Sequence, residues 1–147
     1  MAKQFNSYQN PSLAVDLVVF GYHEQQLSVL LLNRKEEPFK NGWTLPGGFV
    51  QMEERFSDTC SRLLKTKLGM DKLYLEQLYT FDDPKRDPRG RVIAVAHFAL
   101  INPRQFEIVA GSMANDVQWF PVQKIPKLGF DHKQIFKVAL ERLKSKI

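Results

Sequence analysis

Apolar positions along this chain fall into two rhythms. Residues 13–20 (LAVDLVVF) form a nearly continuous apolar run of strand length, interrupted only by Asp16, and residues 27–33 (LSVLLLN) form a second. The polar stretch 22–26 between them suits a hairpin connection. After a charged loop at 34–42, residues 43–45 read as a short strand entering a Pro46-Gly47-Gly48 turn. The spacing then changes. Phe56, Cys60, Leu63, Leu64 and Leu68 recur at three- and four-residue steps, which predicts a helix, and Gly69 stands where a left-handed C-terminal cap belongs. Strands return at 73–81, 92–101 and 117–121, the 92–101 run being the longest and predicted to be central. Residues 82–91, with two prolines and a glycine, form a loop, and 110–115 a turn. A last helix is predicted over 131–147, with Asp131 and Gln134 as a capping box. Ile135, Val138, Ala139, Arg142, Leu143 and Ile147 mark its inner stripe.

At 147 residues the chain reads as a single domain, 1–147, with a polar and loose start over 1–10. Its 44% hydrophobic and 25% charged residues place it among ordinary globular domains. No stretch of eighteen apolar residues offers a membrane span, and the N-terminus lacks the apolar core of a secretory signal. A lone Cys60 permits no intrachain disulfide, so a cytoplasmic location is expected. The net charge of +5 is unevenly placed: from Val122 onward seven Lys or Arg face only Asp131 and Glu141. Such a basic helix is either a solvated face or a surface that approaches nucleic acid. Its pattern runs to the last residue, which suits a piece of a longer chain as well as a fraying terminus.

Residues 48–70 carry the most specific pattern. With Gly48 as the start, Glu54, Arg62, Leu64, Gly69 and Met70 fall on six of the nine defined positions of the Nudix box, so the segment resembles that motif. The resemblance implies an α/β (α+β) Nudix fold, a mixed β-sheet sandwiched between helices. The three positions that fail are all glutamates in the motif, replaced here by Leu63, Thr66 and Lys67. In a Nudix hydrolase those carboxylates hold a divalent metal, which needs oxygen ligands. Leucine offers none, threonine a weak one, and lysine repels the cation. No catalytic residue, no metal site and no required cofactor are therefore expected.

The segments EEPFKNGWTLPGGFV, LYTFDDPKRDPRGRV, WFPV and GFDHKQI resemble one branch, the Nudix-related transcriptional regulators of NAD metabolism (NrtR family). That resemblance implies a domain that binds ADP-ribose or a related NAD-derived nucleotide, forms a homodimer and controls operator DNA binding. The DNA would be read through a winged helix-turn-helix beyond helix 131–147, absent from this chain. The alternative is a hydrolase of the ADP-ribose pyrophosphatase kind, with Glu53, Glu54, Glu76 or Glu107 as recruited acids. A third reading is an interaction module whose pocket has lost its ligand.

For the ligand itself, Arg86, Arg89 and Arg91 crowd one proline-bounded loop, where guanidinium forks match diphosphate oxygens; surface solubility is their alternative role. Arg34 and Lys40 flank the preceding loop and would complete a cationic wall. Gly47 and Gly48 offer backbone N–H groups to phosphate or simply make the turn. Phe39 and Trp43 are candidates for stacking on adenine, with the core as the competing place for both. Lys67 either faces the diphosphate in place of metal or points to solvent. By family analogy Arg62 orients Glu54 through an ion pair. His23, His97 and His132, on separate elements without ligand spacing, are read as structural.

Overall fold

The computed structural model describes residues 8–71, 73–112 and 114–146; most of the predicted loose start, and Ile147 of the final stripe, lie outside them. The long apolar run becomes β1 (Ser12–His23), and the second run β2 (Gln26–Arg34). Their hairpin is tighter than the sequence suggests. His23 pairs with Gln26, and only Glu24 (φ 51°) and Gln25 (φ 64°) turn, both in the left-handed region that two-residue hairpins require. Then come β3 (Trp43–Thr44), β4 (Gly47–Phe49), α1 (Phe56–Leu68), β5 (Glu76–Phe81) and β6 (Val92–Ile101). A single turn of 3-10 helix (Pro103–Gln105), β7 (Ala114–Pro121) and α2 (His132–Lys146) complete the order. β5 begins later than predicted; Leu73 and Leu75 ahead of it pack under α1 instead. β7 begins within the predicted turn.

The sheet runs β3-β2-β1-β6-β5, with β4 added to β1 and β7 to β2. β1 and β6 are parallel over ten pairs from Ser12↔Val92 to Gly21↔Ile101, and the other pairings are antiparallel. The two-residue period of β1 sorts its side chains onto opposite faces. Val15, Leu17 and Val19 point to one face, where α1 covers them with Cys60, Leu63, Leu64 and Leu68. Val18 and Phe20 point to the other, under Ile135, Phe136, Ala139 and Leu143 of α2. The continuous apolar run is thus the signature of a strand buried on both sides. The mixed sheet lies between helices, as expected.

β1 changes partner along its length, and this makes the site. Phe20–His23 pair with β2, but Ala14–Asp16 pair with β4, while the far end of β2 pairs with β3. Residues 44–49 thus fill a fork between β1 and β2, pinned by the Leu17 N–H donating to the Pro46 carbonyl (2.8 Å). The predicted Pro46-Gly47-Gly48 turn is therefore corrected to a strand entry, and neither glycine has a positive φ. Close approach is what requires them. A Cβ on Gly47 would run into the Asp16 carboxylate, and one on Gly48 would lie 2.6 Å from Leu63 Cδ2. At the other end of α1, Gly69 (φ 63°) does close the helix left-handed, with its own N–H on Lys65 O and that of Met70 on Leu64 O.

Candidate functional site

The fork opens into a cleft of about 210 Å³. Its floor is Gly47 and Gly48, and cations come to it from four elements: Arg34 at the end of β2, Lys35 just after it, Lys67 on α1, and Arg86 and Arg89 on the 82–91 loop. Of the residues singled out in the sequence, Arg34, Gly47, Gly48, Lys67, Arg86 and Arg89 line this one space. Phe39, Lys40, Trp43 and Arg91 do not. Trp43 packs edge-on against Phe120 (4.8 Å) at the margin of the α2-side core. Phe39 stacks on Phe130 (4.6 Å) outside the cleft lining. Lys40 is exposed, its backbone N–H held by Glu37 (3.2 Å), and Arg91 donates to the Asp82 carbonyl. The aromatics that do line the cleft are Phe49 and Phe130.

At the inner end, Arg86 is buried, with its side chain 3% exposed. Its Nε and one terminal nitrogen donate to Asp131 (2.9 and 2.8 Å), and that nitrogen also reaches Asp16 (3.2 Å). Burial works against the Arg86 charge, but Asp131 and Asp16 outweigh it and raise its pKa. The Asp131 carboxylate, expected to cap α2, thus receives the Arg86 fork; its carbonyl accepts the first-turn N–H groups of Gln134 and Ile135. His132 also belongs here. Its Nδ1 accepts the Leu45 N–H (2.9 Å), leaving Nε2 to face Asp16 at 3.4 Å. Burial pushes the Asp16 carboxyl up, and His132 and Arg86 together bring it below the ordinary carboxylate value. Asp16, the single charge in the first apolar run, is therefore a fixed anion beneath the glycine floor.

At the mouth, guanidinium and aromatic groups alternate. Arg89 lies over Phe49 (5.1 Å) and Phe130 (5.6 Å), and Arg34 lies over Phe130 (5.2 Å). Asp87 holds one edge of Arg89 (3.0 and 2.7 Å), and the Pro38 carbonyl holds Arg34 Nε (2.6 Å). Phe130 has φ 54°, an uncommon conformation for a bulky residue, and its ring lies within reach of both cations. Packing and hydrogen bonds thus fix both guanidinium planes before any ligand arrives, which lowers the ordering cost of binding an anion.

The helix positions where the motif has glutamates are used otherwise. Leu63 is 1% exposed, within the α1-side core. The Thr66 hydroxyl donates to the Arg62 carbonyl (2.8 Å), one turn back. Lys67 brings an ammonium to the cleft. Glu54 is engaged by Arg62 (2.7 and 2.9 Å), by the Thr59 hydroxyl (2.9 Å) and by the Gln51 N–H (3.0 Å). Arg62 also donates to the Phe49 carbonyl (2.7 Å), so this ion pair, which the family analogy implies, ties the loop to the cleft wall. Among the described residues α1 brings no carboxylate to the cleft, so it offers a divalent cation none of the oxygen ligands that the motif's glutamates would supply. Among the described residues no cluster of three or more His, Cys, Asp or Glu is placed to hold a metal. Cys60 is inert, since burial pushes its thiol up to about 11.

Residues 10–139 match the NUDIX domain family. The chain is 35% identical to the ADPR responsive transcriptional repressor NtrR of Acinetobacter baylyi, with 97% of this chain aligned. It spans only 58% of that repressor's length. It is also 35% identical to the ADP-ribose pyrophosphatase of Methanocaldococcus jannaschii, over 92% of this chain and 76% of that enzyme. Among solved structures, the NUDIX domain of Shewanella oneidensis NrtR in complex with ADP ribose superposes with a TM-score of 0.84 at 36% identity, covering 96% of this chain and 94% of that one.

Proposed function

Since the chain belongs to the NUDIX domain family, we propose that it binds ADP-ribose without cleaving it, as the effector domain of a transcriptional regulator of NAD metabolism. One observation carries the second half of that statement: the side chain α1 brings to the cleft is Lys67, where a hydrolytic helix would bring carboxylates. The binding half rests on the fixed forks of Arg34 and Arg89 and on the likeness to a repressor and to an ADP-ribose complex. Guanidinium forks suit the diphosphate. Phe49, 41% exposed, offers a face for a base or ribose. Arg86, saturated by two carboxylates, braces the site from behind.

In this reading the domain works as a cytoplasmic homodimer, and operator DNA is bound by a separate domain beyond α2. Ligand would act by preferring one arrangement of the dimer, because only differential affinity shifts such a balance. The test is calorimetric titration of ADP-ribose with and without magnesium, followed by chromatography of the mixture. Micromolar binding that leaves the ligand intact is expected. Release of AMP and ribose 5-phosphate would make the protein a hydrolase, the reading favoured by its likeness to the pyrophosphatase. The acids nominated for that role do not line the cleft: Glu54 is locked to Arg62, and Glu76 pairs with Lys146 (3.1 Å). Of the carboxylates that do line it, Asp16 and Asp87 are held by Arg86 and Arg89, which leaves Glu36 and Glu37 at the rim to take the role over.

A further inference from the structure

On the more exposed side of the cleft, two half-buried cations face the same space without an ion-pair partner among the described residues. Arg34 spends its Nε on the Pro38 carbonyl and one face on Phe130, yet has no carboxylate within ion-pair distance among the described residues. The Lys67 ammonium has neither a hydrogen-bond nor an ion-pair partner among them. Burial and then the nearby Arg34 hold Lys67 below the ordinary lysine value. Burial and then Arg89 do the same to Arg34. Glu36, exposed at the rim, offsets part of this for Lys67, and Asp87, Glu36 and Glu37 offset part of it for Arg34, none of them within ion-pair distance. Lys35, by contrast, is exposed and reaches out to the Ser112 carbonyl (3.5 Å).

Two like charges partly withdrawn from water and left unpaired are a standing electrostatic cost. An anion placed between them removes it. We propose that Arg34 and Lys67 form a phosphoryl seat in which Lys67 supplies, as part of the chain, the positive charge that a metal supplies in hydrolytic relatives, so that the cleft takes a diphosphate in its metal-free form. This rests on the nucleotide reading above and deepens it. The motif's substitutions then have one purpose beyond the loss of catalysis. Leu63 seals the core beneath the seat, Thr66 turns its hydroxyl back on the helix, and Lys67 fills the electrostatic vacancy. Magnesium becomes a competitor, since it neutralises the phosphates that the two cations would hold.

The experiment titrates ADP-ribose into the full chain with chelator and with excess magnesium, for the wild type, Lys67→Met and Lys67→Arg. Wild-type affinity should be equal or weaker with magnesium. Lys67→Met should lose about tenfold or more in affinity, the ordinary consequence of deleting a charged hydrogen bond, and Lys67→Arg should stay within about threefold. The melting temperature of Lys67→Met should hold or rise, because an unpaired charge has gone; loss of binding with gain of stability separates the seat from misfolding. Lys67→Met affinity within about twofold of wild type, or wild-type binding that needs magnesium, would overturn the proposal. Inorganic pyrophosphate is the second titrant. If it binds through Lys67 while ADP-ribose does not, the seat stands and the nucleotide reading fails; if neither ligand binds, both fail.

Discussion

Two parts of the cleft hold the same kind of residue in opposite states. Arg86 at the inner end has two carboxylates, is almost wholly buried and shares one of them, Asp16, with His132. Arg34 and Lys67, half-buried in the same cleft, have none within ion-pair distance among the described residues. A satisfied buried pair contributes mainly uniqueness of structure, because desolvation offsets most of its Coulomb gain. An unsatisfied pair of like charges costs stability, and an anion between them would remove that cost. In the proposed reading, charge satisfaction, more than charge itself, separates the scaffold from the proposed binding surface within a single cleft.

The sharpest way to break this contrast is Arg86→Ala. It would leave Asp16 under the glycine floor and Asp131 at the start of α2 without their fork, and removing one partner of a buried pair costs about 3–5 kcal/mol. Denaturant unfolding should show that loss, far beyond any change that Lys67→Met produces. If Arg86→Ala unfolds like the wild type, Arg86 is not the brace described and belongs with the ligand-facing group.

Arg89 tests the middle ground, since one edge is spent on Asp87 while its face looks onto Phe49 and Phe130. Arg89→Ala should weaken ADP-ribose binding by about 1.5–3 kcal/mol, measured by calorimetry, with a smaller loss of stability than Arg86→Ala. Unchanged affinity would remove Arg89 from the binding surface.

The contrast also explains how much could be read in the sequence. Element positions follow from apolar period, and β1, both helices and the Gly69 cap came from that signal. Gly47-Gly48 misled because glycine serves a turn and a close approach equally, and only the Asp16 and Leu63 contacts tell them apart. The cationic loop was legible as composition, but not the sorting of its arginines: Arg86 inward, Arg89 across the mouth, Arg91 away. Asp16 had a signal, as a lone charge in an apolar run. Phe130 had almost none, because its place depends on a backbone twist beside a residue expected to be a cap. Phe39 and Trp43 flank cleft-lining residues in sequence, yet their packing partners Phe130 and Phe120, which draw them out of the lining, lie about eighty residues or more away.

A third charged group, Glu54 with Arg62, lies near the surface and sets the lower limit of the scale. Its Glu54 carboxyl is held down to about 2, first by the Arg62 fork and next by the Gln51 N–H, against an ordinary 4.5. A carboxylate whose pKa is lower folded than unfolded stabilises the fold above its unfolded value, and that contribution fades as pH falls through the folded one. The ion pair should therefore be intact at neutral pH and loosen only between about pH 4.5 and pH 2. Glu54→Gln removes the titration but keeps the shape. The melting-temperature difference between wild type and Glu54→Gln should be small and flat at neutral pH, then shrink toward zero as acid is added. A difference that persists unchanged near pH 2 would mean that Glu54 acts through shape and hydrogen bonding rather than charge. In that case the Arg62 tie to the Phe49 carbonyl, which holds one wall of the mouth, would not depend on the one motif glutamate this helix region retains.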